Sequence, residues 1–469
     1  MPEVFLLAAA CVILVVDLFI KDEQRIISYG MTQISLVLTV MLIMLTSSKG
    51  GAQILFDGSV IRDSMGDVLK VAICAISAGA FLYAKDYLRD SGLFKGEYYV
   101  LGLFAVLGMM AMVSANSFLT AYLGLELLAL SLYALVAFDR DSRSGPEAAM
   151  KYFVLGALAS GMLLYGISMI YGATGAIGFQ EVAAALGNTG TNDMVLVFGL
   201  VFVVIGVAFK FGAVPLHMWV PDVYHGAPTA VTLFISSTPK IAAFALAMRL
   251  LVDGLGGLHG DWQGMLVILA ILSMAIGNIV AIAQSNIKRM LAYSTISHVG
   301  FILLGILAGT SKGYTAAMFY SIVYALMALG GFGIVILLSR KGFEAEKLED
   351  YKGLHDRSPW FAAMMLFFMF SMAGVPPMVG FFAKMFVLEA VINVDMVWLA
   401  LVGVFFSIIG AYYYLRIVKL MYFDKPVDDT PLTAGLDARI LLSINGLSML
   451  VLGMFPASIL SFCAAAFAS

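Results

Sequence analysis

The chain has 469 residues, 62% of them hydrophobic and only 12% charged, with a formal net charge of -3. A mean hydropathy of +0.98 excludes a soluble catalytic domain of this length. The lack of a basic stripe excludes nucleic-acid binding, and no glycine-rich phosphate loop or dinucleotide motif is present. Cys11, Cys74 and Cys463 are far apart and lie in or beside apolar runs, so neither a paired-cysteine metal site nor a disulfide framework is expected.

Residues 1–20 run apolar up to Lys21 without a basic start, which reads as a first spanning helix rather than a signal peptide. Further spans are expected over 26–46, 65–84, 98–113 and 114–138, then over 147–171, 194–224 and 229–252. The rest lie over 264–284, 287–308, 314–339, 359–392, 397–421 and 440–465. Each is long enough to cross a hydrocarbon core, so the expectation is an all-α polytopic membrane protein, one domain of about fourteen transmembrane helices.

Two of these spans are interrupted. The seventh carries Lys210 and then Gly212, Pro215, His217 and Pro221, with Pro228 just beyond it; the twelfth carries Gly374, Pro376, Pro377 and Gly380, then Lys384. Glycine and proline free backbone groups that lipid cannot satisfy, so such breaks persist only where protein or water takes up the loose bonds. The breaks lie five spans apart, an odd number, so the two segments cross in opposite directions. That is the pattern of inverted repeats, with sites near the midplane. Helices four to eight (96–253) and nine to thirteen (262–421) form the two expected five-helix units, after an N-terminal part (1–95) and before a last helix (435–469). The pairing sets Glu126 of the fifth helix against His298 of the tenth.

Short positively charged loops stay on the inner side of a membrane. With the N-terminus outside, the inner loops collect 18 Lys and Arg, from Lys21 to Arg439, against Lys49, Arg62, Arg249 and Lys312 on the outer side. Both termini are therefore expected outside. Lys70, Lys151, Lys210, Lys240 and Lys384 remain within hydrophobic segments, and Glu126 is the one acid at mid-helix depth.

Insertion of an ionised group at the bilayer centre costs about 2.5 to 3.5 kcal/mol, so several such groups in one bundle point to an ion or proton path. Glu126, with apolar neighbours throughout, reads as a proton acceptor or as a hydrogen bond pinning two helices. Lys210 and Lys240 lie mid-span, and Lys384 follows the second break, where it is either functional or snorkelling. Lys151 is nearer its helix start and is either functional or interfacial; Lys70 reads as structural. His298, among Ser294, Thr295 and Ser297, suits proton relay or packing. His217 and His225 flank the first break with no carboxylate or third histidine near them in sequence at metal-ligand spacing, and read as lining an opening. Glu389 and Asp395 read as solvated helix ends.

Taken together, these residues resemble a known family. Gly124-Leu125-Glu126-Leu127, Lys151, the run from Lys210 to His217 and that from Trp219 to Thr229 are similar to the antiporter-like membrane subunits of bacterial NADH-quinone oxidoreductase, respiratory complex I. So are Lys240, the run Tyr293 to His298, and Gly374-Val375-Pro376-Pro377 with Lys384. These subunits are similar in turn to Mrp-type cation/proton antiporters. Within them the resemblance is to the subunit N type, because the chain stops after about fourteen helices without a long lateral helix and its twelfth-helix group is a lysine.

The resemblance implies that Glu126 and Lys210 form the charge pair of a first half-channel, that Lys240 connects the halves and that Lys384 serves the exit side. It also implies proton translocation by this chain in the bacterial inner membrane, with periplasmic termini. Electrons would pass from NADH through FMN and iron–sulfur clusters of other subunits to quinone, with no cofactor or metal in this chain. The implied partners are the A, H, J, K, L and M type membrane subunits and, through them, the NADH dehydrogenase arm. An Mrp-type antiporter subunit is the alternative.

Overall fold

The computed structural model describes residues 1–47, 51–188, 194–426, 432 and 434–467; Lys49 and the end of the segment expected over 435–469 lie outside them. Apolar runs without internal partners for their backbone groups become helices, because a helix satisfies those groups within the segment. In order these are α1 (Pro2–Asp17), α2 (Ile26–Thr46), α3 (Ser64–Asp90), α4 (Gly96–Val113), α5 (Phe118–Val136) and α6 (Ser144–Thr174). Then come α7 (Phe179–Asn188), α8 (Met194–Phe211), α9 (Trp219–Gly226), α10 (Thr229–Ala247), α11 (His259–Ile282), α12 (Ile287–Leu307) and α13 (Ser311–Leu338). The last are α14 (Leu354–Arg357), α15 (Pro359–Ala373), α16 (Val379–Ile392), α17 (Val397–Phe423), α18 (Leu436–Met454) and α19 (Ala457–Ala465). Among the described residues, twelve helices are long and apolar enough to cross a membrane, counting α10 with its extension to Gly254 as one. The chain is a multi-pass helical membrane protein.

Both expected breaks are present. α8 ends at Gly212, whose φ of +75° only glycine adopts without strain, and α9 resumes at Trp219. α15 ends at Gly374, φ +84°, and α16 resumes at Val379. The last expected span is also divided. Pro456 lacks an N–H and pushes Phe455 out of the helical region (φ −127°, ψ 60°), separating α18 from α19.

Three elements were not expected from the apolar runs. A hairpin of β1 (Gln53–Leu55) and β2 (Val60–Arg62) links α2 to α3. The short helix α7 buries Phe179, Val182 and Leu186 at helical spacing, with the Phe179 ring edge-on to Phe118 at 4.9 Å. α10 continues as a π-helix over Met248–Gly254. Its Arg249 is buried, binding the Val113 carbonyl (3.0 Å), Asp63 (2.8 Å) and Asp253 (2.9 Å).

α10, α12 and α13 form the centre, and every residue of α10 is buried. α10 packs against α13 and α3, α12 against α11, α13 and α9, and α4 against α5. The α10–α13 contact joins the two halves, so polar groups on α10 face protein rather than lipid.

Candidate functional site

The first half contributes Glu126 from α5 and Lys210 from the last turn of α8. They line one cavity of about 20 Å³ with Tyr133, Tyr152, Ser160 and Phe209, room for about one water. Glu126 is not the lone carboxylate that its neighbours in sequence suggest, since the Ser160 hydroxyl of α6 donates to it and also lies 3.2 Å from the Tyr122 hydroxyl. Lys210 is only 7% exposed. The two charges share the cavity without a direct ion pair, so a helix shift or a water can change their coupling.

The break also explains Lys240. With Gly212 turning the chain out of helix, the Phe211 carbonyl loses its helical donor, and the Lys240 ammonium donates to it at 2.8 Å while lying 5.4 Å from the Trp219 ring centre. The Trp219 indole N–H donates to the Phe209 carbonyl at 3.1 Å. Across the break, the Val214 N–H donates to Ser273 of α11 at 2.9 Å. Loose backbone groups of the seventh segment are thus held by side chains from α9, α10 and α11.

The second half repeats the device with its own lysine. Lys384 of α16 donates to the freed carbonyl of Ala373 (2.9 Å) and to Ser407 of α17 (2.9 Å), and its ammonium lies 5.2 Å from the Phe301 ring centre. Lys384 therefore points into the protein and does not snorkel. Both breaks turn on a positive-φ glycine, Gly212 and Gly374, but the ammonium comes from the next helix in one and from the broken helix itself in the other.

His298 on α12 is fully engaged. Its Nδ1 lies 2.7 Å from the Tyr320 hydroxyl and its Nε2 3.1 Å from the Tyr414 hydroxyl, which meets Ser294 at 2.5 Å. The neighbouring Tyr324 donates to Thr295 at 2.7 Å. This hydroxyl cage suits relay as well as packing.

Lys151 stands apart. Its side chain is 45% exposed and pairs with Glu147 (3.0 Å) and Asp222 (2.9 Å), and Asp222 also holds Arg289 at 2.9 Å. Lys70, read as structural, is buried in an ion pair with Glu3 at 2.7 Å. Lys288, counted with the inner loops, is 2% exposed and bonds the Ala227 carbonyl and Glu346, each at 2.9 Å. His225 does have a carboxylate partner: Glu346, 3.6 Å away, arrives from 121 residues further along the chain. Burial alone would raise the Glu346 pKa, but His225 and Lys288 outweigh it and hold the group down at about 2. Ser160, Ser273 and Ser407 were missed because a single hydroxyl inside an apolar run carries no signal until its tertiary partner is known. Among the described residues, no group of three or more His, Cys, Asp or Glu side chains is placed to hold a metal.

This arrangement has known counterparts. Residues 115–410 match the family described as NADH:quinone oxidoreductase/Mrp antiporter, TM. The chain is 62% identical over 466 residues to NADH-quinone oxidoreductase subunit N of Thioalkalivibrio sulfidiphilus, covering 99% of this chain and 97% of that one. The chain belongs to the subunit N family of NADH-quinone oxidoreductases. A solved chain of respiratory complex I from Thermus thermophilus with bound aureothin superposes with a TM-score of 0.84 at 28% identity, covering 99% of this chain and 100% of that one. A chain of the Mrp complex from Dietzia sp. shares the fold, with a TM-score of 0.86 at 21% identity over 99% and 95% of the two chains. Members of this family are membrane subunits of a proton-translocating oxidoreductase.

Proposed function

We propose that this chain moves protons across the membrane as the N-type subunit of NADH:quinone oxidoreductase, coupled to electron transfer from NADH to quinone. The observation that carries the reading is the series of half-buried Glu126 and buried Lys210, Lys240 and Lys384, two of whose ammonium groups sit on carbonyls freed at helix breaks. Glu126 and Lys210 load the first half, Lys240 connects the halves, the His298 cage relays within the second half, and Lys384 releases. Lys151 lies at the edge, where its pair with Asp222 steadies α9. The bundle has fourteen spans in two inverted units, 96–253 and 262–421, flanked by 1–95 and 435–469.

The redox cofactors, FMN and iron–sulfur clusters, belong to other subunits, as does the contact with quinone. This chain sits in the bacterial inner membrane with both termini periplasmic, beside membrane subunits of the A, H, J, K, L and M types, and binds no nucleic acid. An Mrp-type antiporter role has the shared fold in its favour, but the high identity to subunit N favours the oxidoreductase. Co-isolation with NADH dehydrogenase subunits rather than small antiporter subunits separates the two.

At an effective dielectric near 20, unit charges about 4 to 8 Å apart attract by roughly 2 to 4 kcal/mol. That is enough for a movement at the α8–α9 break to switch proton occupancy between Glu126 and Lys210. Lys210→Met or Glu126→Gln is expected to lower proton pumping together with NADH:quinone turnover while the complex still assembles. Full pumping and turnover in an assembled variant would overturn this role.

A further inference from the structure

The inner-loop side of the molecule carries a polar cavity that none of these assignments uses. It measures about 150 Å³ and is lined by Tyr87, Asp139, His225, Lys288, Glu344 and Glu346, among others. At its floor, the Glu344 carboxylate accepts from the Tyr87 hydroxyl at 2.7 Å and from the Thr229 hydroxyl at 2.9 Å. The Thr229 backbone N–H in turn donates to the Tyr87 oxygen at 3.2 Å. Thr229 is the first residue of α10, the helix that carries Lys240.

The face of α10 below Thr229 is polar. At about 100° per residue, Ser236 and Lys240 each fall about 20° from Thr229 around the helix, on opposite sides and so about 40° from each other, with Thr232 about 60° from Thr229. All four are buried, so this polar stripe faces protein. Pro239 adds to it, because it has no N–H to give the Ile235 carbonyl, one residue before Ser236. From Thr229 to Lys240 the rise is roughly 16 Å, about half the hydrocarbon thickness.

We propose that Glu344 takes up protons from the inner aqueous side and passes them through Thr229 along the Thr232–Ser236 face of α10 to Lys240, without passing Glu126. The transfer is of protons alone: the Thr229 hydroxyl accepts one from the Glu344 carboxyl and releases its own toward the next oxygen, and the neutral Lys240 amine, left when its ammonium has passed a proton on, is the terminal acceptor and becomes ammonium again. α10 is packed closed along this face, so passage requires the helix to loosen at Pro239. The inlet is a second feed to the site described above, and it rests on the proton-translocating reading of that site.

Two measurements on the assembled complex test it. In a Cys11→Ser background, Thr229→Cys is expected to react with a membrane-impermeant quaternary-ammonium methanethiosulfonate added to the inner side only. Ser236→Cys is expected to react more slowly from the same side, and faster during NADH oxidation. Reaction from the outer side, or no reaction of Thr229→Cys from either side, overturns the inlet whether or not Lys210 proves to pump. Second, Glu344→Gln is expected to lower proton pumping about tenfold, less than the roughly 100- to 10,000-fold a positioned proton-transfer group contributes because the Glu126 feed remains, with Glu344→Asp restoring it. If Glu344→Gln fails to assemble, Thr229→Val compared with Thr229→Ser serves the same purpose. Unchanged pumping in assembled Glu344→Gln, or in Thr229→Val, overturns the proposal.

Discussion

At the scale of single residues, the site depends on backbone groups as much as on charges. Gly212 holds φ +75°, and a Cβ there would come within 2.5 Å of Val220 Cγ2, on the far side of the break. The left-handed conformation costs a non-glycine residue about 1 to 2 kcal/mol, and the clash adds to it. Because the freed Phe211 carbonyl is the acceptor for Lys240, any relaxation of that turn moves the ammonium's anchor. Gly212→Ala is therefore expected to lower the thermal stability of the complex by roughly that 1 to 2 kcal/mol and to depress pumping. The check is a melting curve read beside a pumping assay; an unchanged melting point together with full pumping contradicts the anchoring role.

At the scale of elements, the broken helices are stitched to their neighbours by hydroxyls. The Val214 N–H reaches Ser273 on α11, and the Gly380 N–H reaches Ser371 on α15 at 3.1 Å. Ser273→Ala leaves the buried Val214 N–H without its partner, a loss of about 1 to 3 kcal/mol. It is expected to destabilise the complex by that amount while Ser273→Thr retains most of the stability; equal melting points for the alanine variant and the parent rule the stitch out. The breaks themselves were legible, because Gly212 and Gly374 are each followed within three residues by proline inside an apolar run. So were the long spans and the burial of Lys210, Lys240 and Lys384. What receives each loose group was not, since Ser273 and Ser407 look like any other serine in an apolar helix. α7 escaped notice because ten residues with a buried Phe179, Val182 and Leu186 are too short to register among spans of about twenty. The division of the last span at Pro456 was legible in principle, from a proline following a bulky residue.

At the scale of the whole molecule, the two halves are fastened together at several levels. α10 packs on α13 through the centre, the Val214 N–H at the break donates to Ser273 of α11, and Asp222 of α9 holds Arg289 of α12. A further strap joins His225 of α9 to Lys288 of α12 through Glu346, which also accepts from Asn286 at 3.1 Å, while Lys288 donates directly to the Ala227 carbonyl. Glu346 is the exchangeable link, because its carboxylate is the acceptor for all three side chains. Its pKa of about 2 lies below the value near 4.3 that an unfolded glutamate has, so the folded form binds fewer protons. The strap's contribution is thus fully present above about pH 4.3 and is lost as pH falls toward about 2. Glu346→Gln removes the charge at every pH. The variant is expected to be less stable than the parent near neutrality and to converge with it in acid, and removing the strap should loosen α9 against α12 without disturbing the α10–α13 contact. Melting curves of the two complexes between neutrality and the lowest pH at which both remain assembled provide the measurement, and a gap that stays constant or widens in acid shows that Glu346 does not hold the halves together.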